Sequence, residues 1–162
     1  MDFALPAALA GLLASAVCVQ ATAPSVEVEE DLYTYVSPNN GSGPGWCAGS
    51  TCLVRIGDQV FASGIETIPD AKPLNNVRWL LFRRGPGGWE LVRKDETGRT
   101  REPCPMVGFP DGRLFLSVNP TLTPPDAAAG PAEPQILQFS ANDPGALPLT
   151  ILPQWDGSPA FT

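Results

Sequence analysis

The sequence predicts an all-β protein built from two antiparallel four-stranded units, and three observations carry that prediction. Pro (19) and Gly (16) punctuate the 162-residue chain at short intervals, a pattern that favours many short strands over long helices. Hydrophobic residues make up 43% of the chain, enough for the packed core of one ordinary domain. The third observation is an internal repeat: Cys52–Ser63, CLVRIGDQVFAS, aligns with Cys104–Ser117, CPMVGFPDGRLFLS. Cys52 falls on Cys104, Val54 on Val107, Ile56 on Phe109, Phe61 on Phe115 and Ser63 on Ser117.

The elements follow in chain order. Residues 1–21 read as an export signal, with an apolar run from Phe3 to Val19 and small residues at Val19-Gln20-Ala21 suited to cleavage. The segment before the run carries Asp2 and no Lys or Arg, which keeps an uncleaved anchor or a buried helix as alternatives. Pro6 interrupts the run, and its length falls slightly short of a membrane span. The expected destination is therefore secreted or periplasmic, with no stable membrane span once the signal is removed. Residues 22–51 form a lead-in whose LYTYV stretch, Leu32–Val36, is a candidate lone, ring-closing strand.

The first repeat unit covers 52–100, with strands expected at 52–56, 60–65, 77–83 and 88–93. The second covers 101–162, with strands at 105–109, 113–118, 135–140 and 146–152. In each unit a polar Gly/Asp turn separates two apolar runs, which is the sequence form of a β-hairpin. The correspondence continues downstream: Pro69-Asp70-Ala71 matches Pro125-Asp126-Ala127, and Phe82 matches Phe139. Four strands joined by short turns and repeated after some fifty residues suit the blades of a β-propeller. The alternative is an all-β sandwich with two similar hairpin pairs. About two blades make an incomplete ring, so the expectation is a portion of a longer propeller, or a short form that associates through its open blade edge.

Composition removes several function classes. With no histidine, Ser-His-Asp and Cys-His nucleophiles are excluded, as is any zinc site that depends on His. A net charge of −7, with Lys72 and Lys94 the only lysines, argues against a nucleic-acid partner. Without the signal, Cys47, Cys52 and Cys104 remain. They read either as buried small thiols or as one disulfide with Cys52 and Cys104 as the candidate pair. No metal site and no cofactor are expected.

Three stretches, Gly43–Gly64, Leu74–Val92 and Arg101–Pro120, resemble the sialidase-like (BNR-repeat, Asp-box) β-propellers. In that family the turn between the third and fourth strands of a blade reads roughly Ser-x-Asp-x-Gly-x-x-Trp. Here Ser140–Leu147 occupies that turn with Asn142 for Asp, a shifted Gly145 and Leu147 for Trp, a degenerate copy. Sialidases also carry an Arg-Ile-Pro motif whose arginine clamps a carboxylate; the nearest echo is Arg101-Glu102-Pro103. The family's tyrosine nucleophile comes from a later blade, whereas the tyrosines here are Tyr33 and Tyr35. The resemblance thus implies an exported propeller that binds or acts on glycans, with the catalytic set incomplete in this chain. The alternative is a non-catalytic scaffold for another exported protein.

Propeller ligands bind near the starts of the innermost strands, which singles out Arg101, Glu102, Trp46 and Asn40. Glu102 is suited to acid/base work or to accepting sugar hydroxyls, but glycosidase chemistry needs a second carboxylate that the sequence does not identify. The plainer reading of Arg101 and Glu102 is a solvated loop or an ion pair. Trp46 suits stacking on a sugar face as well as core packing, whereas Trp79 and Trp89 lie inside apolar strands and are expected in the core. Asn39-Asn40-Gly41 is most simply a turn, and Asp58 and Asp111 suit hairpin tips.

Overall fold

The computed structural model describes residues 23–26, 28–46, 49–154 and 156. The expected signal segment 1–21, together with Cys18 and Cys47, lies outside the described residues. Chain contacts separate residues up to Glu30 from those beginning at Asp31, and the fold described below belongs to the second of these units. It is all-β, with no helix among the described residues, and correspondingly no helix there is long and apolar enough to cross a membrane.

Eight strands make two antiparallel sheets in sequential order. The first contains β1 (Leu53–Ile56), β2 (Gln59–Thr67), β3 (Val77–Gly85) and β4 (Gly88–Lys94). The second contains β5 (Met106–Gly108), β6 (Arg113–Val118), β7 (Gln135–Ser140) and β8 (Leu149–Ile151). The β1–β2 hairpin closes where Ile56 faces Gln59 across Gly57-Asp58. Gly57, at φ 59°, adopts the left-handed backbone that a tight hairpin needs and most side chains resist. At the β5–β6 tip, Asp111 accepts from the Arg113 backbone N–H (3.1 Å) and from Arg113 Nε (2.8 Å). The backbone bond, with the guanidinium beside it, holds this exposed carboxyl below its ordinary pKa.

Strand alternation decides which side chains meet between the sheets. Residues two apart share a face, so Val54 and Ile56 of β1, Phe61 of β2, and Trp79 and Leu81 of β3 point to one side. Against them lies the row Met106, Leu114, Leu116, Leu137 and Phe139 of the second sheet, in one continuous buried cluster. Trp79 meets Phe139 edge-on, with ring centroids 6.0 Å apart. Each such side chain, fully buried, contributes about 1.5–3 kcal/mol. The sheets approach tightly at Gly108, where an added Cβ would lie 2.7 Å from Ile56 Cγ1. Hydrogen bonds join the sheets beside this point: Met106 N–H donates to Thr51 O (2.7 Å), and the buried Ser63 side-chain hydroxyl to Cys104 O (2.7 Å).

The far face of the first sheet has its own cover. Ala62, Leu80 and Phe82 pack against Leu32, Tyr33 and Trp89. Tyr33 stacks on Phe82 at 5.1 Å, and its hydroxyl accepts the Ile65 N–H at 3.0 Å. Gly64 makes room for that ring, since a Cβ there would come within 2.8 Å of it. Leu32–Val36 is therefore not a ladder strand in this structure; it lies on the sheet through its side chains. Cys52 and Cys104, the candidate disulfide pair, are free thiols, and burial pushes the Cys104 thiol far above its ordinary value.

Candidate functional site

The two sheets are joined at one end by loops rather than by core. At that end β2 runs out, β3 begins, β4 finishes and the chain crosses to β5 through residues 95–105. The connection between β6 and β7, residues 119–134, arches over the same end. It is rich in proline, yet it is knit into a ladder of its own: Leu122 N–H donates to Pro131 O and Glu133 N–H to Pro120 O, with a bridge between Thr121 and Ala132. Lys72 and Leu74 of the first sheet's loop donate backbone N–H groups to Pro125 O and Ala128 O, so the β2–β3 and β6–β7 loops hold each other.

Between these loops lies a cleft of about 490 Å³ lined by Leu74, Asn75, Thr100, Arg101, Glu102 and Asn119, together with Ala129, Gly130, Ala132 and Pro134 of the β6–β7 connection. Its volume falls within the range of small-molecule sites, about 300–1,000 Å³. Arg99 braces the wall from behind: Nη1 donates to Asn75 O (2.9 Å) and Nη2 to Thr123 O. One guanidinium thus ties the loop that presents Asn75 to the loop over the cleft. Thr100 is fixed by reciprocal backbone bonds with Val77 (2.7 and 3.1 Å). Arg101 is exposed and Glu102 half-buried.

The four residues singled out from sequence separate here. Arg101 and Glu102 are both on the cleft wall. Asn40 is 1% exposed and does not line it. Its side-chain amide donates to Leu74 O (3.0 Å) and Arg101 O (3.1 Å) and accepts from Ser42 N (2.9 Å) and Ser42 Oγ (2.8 Å). Asn40 therefore positions the two walls, and Ser42 Oγ adds a second bond to Arg101 O at 2.7 Å. Trp46 is 48% exposed, stands in a turn closed onto Gly43 O, and is not among the cleft residues. Asn75, Thr100 and Asn119 were not anticipated. Asn75-Asn76 is a polar pair just before the apolar β3, but nothing local says which amide faces a cleft; Asn76 turns inward and donates to Pro38 O (2.8 Å).

Chemically, the cleft offers one cationic donor, one carboxylate, two side-chain amides and a hydroxyl. Among the described lining residues Glu102 is the sole carboxylate, so two carboxyl groups flanking a scissile bond are not assembled here. No group of three His, Cys, Asp or Glu side chains among the described residues is placed to hold a metal ion. Comparison of the chain with protein-family models, with curated proteins and with solved structures returned no match.

Proposed function

We propose that this chain is a glycan-binding segment of an exported protein, its two sheets serving as adjacent blades of a sialidase-like propeller. The observation that carries this reading is the convergence of Arg101, Glu102, Asn75, Thr100 and Asn119 on one cleft at the loop end of both sheets. Sugar hydroxyls both donate and accept. A wall that alternates guanidinium donors, carboxylate acceptors and amides that do both can satisfy several of them together. The cleft loops are braced on each side, by Arg99 and by Asn40, so the polar groups are held before a ligand arrives. A single carboxylate on the wall favours binding over hydrolysis.

Glycan-array binding followed by titration calorimetry tests this. Arg101→Ala and Glu102→Gln are each expected to weaken the best glycan about tenfold or more, as loss of a charge-assisted hydrogen bond does. Failure of the unaltered protein to bind any glycan refutes the reading.

A further inference from the structure

One face of the first sheet is covered by a segment that belongs to no ladder. Residues 32–42 of the lead-in lie along it, and the bonds that hold them pass through single side chains. The Tyr33 hydroxyl accepts the Ile65 N–H while its ring stacks on Phe82. Thr67 Oγ1 donates to Val36 O, and Asn76 Nδ2 donates to Pro38 O (2.8 Å). The last anchor is Asn40, bonded to Leu74 O and Arg101 O. A cover tied at separate points opens locally at a lower free energy than the sheets themselves come apart.

The chemistry of that last anchor is unusual, because Asn40 is followed by Gly41. In an Asn-Gly pair the following main-chain nitrogen attacks the side-chain amide readily, since no side chain hinders its approach. Gly41 is required here by the backbone, which is left-handed at φ 81°. Asn39 is the contrast: it is exposed, but the nitrogen after it belongs to Asn40, whose Cβ stands in the way. In the docked state Asn40 is protected. Its Nδ2 is held between two carbonyls, its Oδ1 accepts from Ser42 N and Ser42 Oγ, and it is 1% exposed. Four bonds fix the plane of the amide, and burial keeps out the water that the reaction consumes.

We propose that Asn40 is a modification site gated by the lead-in: its amide is hydrolysed through attack by Gly41 when residues 32–42 lift from the first sheet, and the product does not re-dock. The Gly41 nitrogen loses its proton and bonds to Asn40 Cγ, the Cγ–Nδ2 bond breaks, and Nδ2 leaves as ammonia. Water then opens the cyclic imide at either carbonyl. The sum is water consumed and ammonia released, with no oxidant and no cofactor. The product is an aspartyl or an isoaspartyl residue at position 40. Either replaces the two amide donors with a carboxylate, leaving Leu74 O and Arg101 O without partners, and the isoaspartyl form also lengthens the main chain by one carbon. Lifting is thereby made permanent, and the cleft walls that carry Leu74 and Arg101 lose their brace. The proposal is independent of the glycan reading, because it needs only the lead-in and its main chain.

The test holds the full chain at mildly alkaline pH, folded and in urea, and reads conversion at Asn40 by peptide mass spectrometry. Conversion in the folded protein should be at least about tenfold slower than in urea. Tyr33→Ala, which frees the lead-in from Phe82 and Ile65, should speed the folded-state reaction at least about fivefold. Leu114→Val, in the core of the second sheet, should change it less than about twofold, because it weakens the sheets without loosening the lead-in. Hydrogen exchange at the Ile65 N–H reports lifting directly: Asn40→Asp should speed it at least about tenfold while the amides of β6 and β7 keep their rates. Equal rates in the folded protein and in urea overturn the proposal, as does a folded protein in which Asn40 is never converted. So does acceleration by Leu114→Val that matches Tyr33→Ala, which would route the reaction through whole-chain unfolding, and so does unchanged Ile65 exchange in Asn40→Asp.

Discussion

Replacing Asn40 with alanine strips two backbone carbonyls of a donor, Leu74 O at 3.0 Å and Arg101 O at 3.1 Å, and removes the acceptor of two Ser42 groups. Asn40 is 1% exposed, so water does not readily take over these bonds. At about 1 kcal/mol net for each of four bonds, less what Ser42 Oγ still supplies to Arg101 O, the expected destabilisation is about 2–4 kcal/mol. In a domain of this size that lowers Tm by roughly 4–16 °C. Urea denaturation and calorimetry measure it directly. Asn40→Asp separates hydrogen bonding from packing. It preserves the shape and both acceptor roles but loses both donors and turns a carboxylate toward two carbonyls, so it should be at least as destabilised as Asn40→Ala. A loss below about 0.5 kcal/mol for Asn40→Ala, or a neutral Asn40→Asp, refutes the assignment of Asn40 as the brace between the cleft walls.

Other perturbations probe the remaining contacts. Gly108→Ala drives a methyl to within 2.7 Å of buried Ile56 and should cost about 1–3 kcal/mol, partly relieved in an Ile56→Ala background; simple additivity in the double mutant counts against that close approach. Tyr33→Phe leaves the Ile65 N–H without its acceptor and should lower stability by about 1–3 kcal/mol in chemical denaturation, with Tyr33→Ala losing more as the stack on Phe82 goes. Burial raises the folded-state pKa of Cys104, and of Tyr33 also. The stabilisation from keeping the Cys104 thiol neutral is fully present below its ordinary value of 9.0 and is lost as pH rises above it, with Tyr33 joining near 10.0. Stability measured across that range should fall by up to about 1.4 kcal/mol per pH unit for each group, and a flat profile would contradict it. In the native protein at neutral pH Cys104 should resist alkylation and react only on unfolding, as mass spectrometry of the modified chain can show.

How far the sequence reaches can be followed strand by strand. The stretches expected at 113–118 and 135–140 are strands with those bounds. Those at 52–56, 60–65, 77–83 and 88–93 shift only at their ends. Alternation and turn residues act over a few neighbours, so they are readable in one dimension. The last strand, expected at 146–152, shrinks to Leu149–Ile151, because Asp143 N–H closes onto Ser140 O and Ala146 N–H onto Asp143 O, drawing the intervening residues into turns. Trp79 packs in the core, as its place within an apolar run indicates, whereas Trp89 is only partly buried, packed against the Ala62–Leu80–Phe82 cluster.

The lining of the candidate cleft was legible only in part. Arg101 and Glu102, which line it, stand out because they precede a repeated strand and have no counterpart before Cys52. Asn40 and Trp46 could not be assigned, because the role of an asparagine depends on which carbonyls reach it, and those of Leu74 and Arg101 lie 34 and 61 residues away. The same holds for LYTYV, whose alternation permits a strand but whose Tyr33 is captured by Phe82 and the Ile65 N–H.

By itself, then, the sequence determined the all-β character and the repeat, since strand periodicity and turn chemistry are local. Only the tertiary structure decided which of two chemically similar apolar rows is buried and which is left open. Val54 and Val107 sit at equivalent places in the repeat, and they differ because a second sheet stands against one and no described residue covers the other.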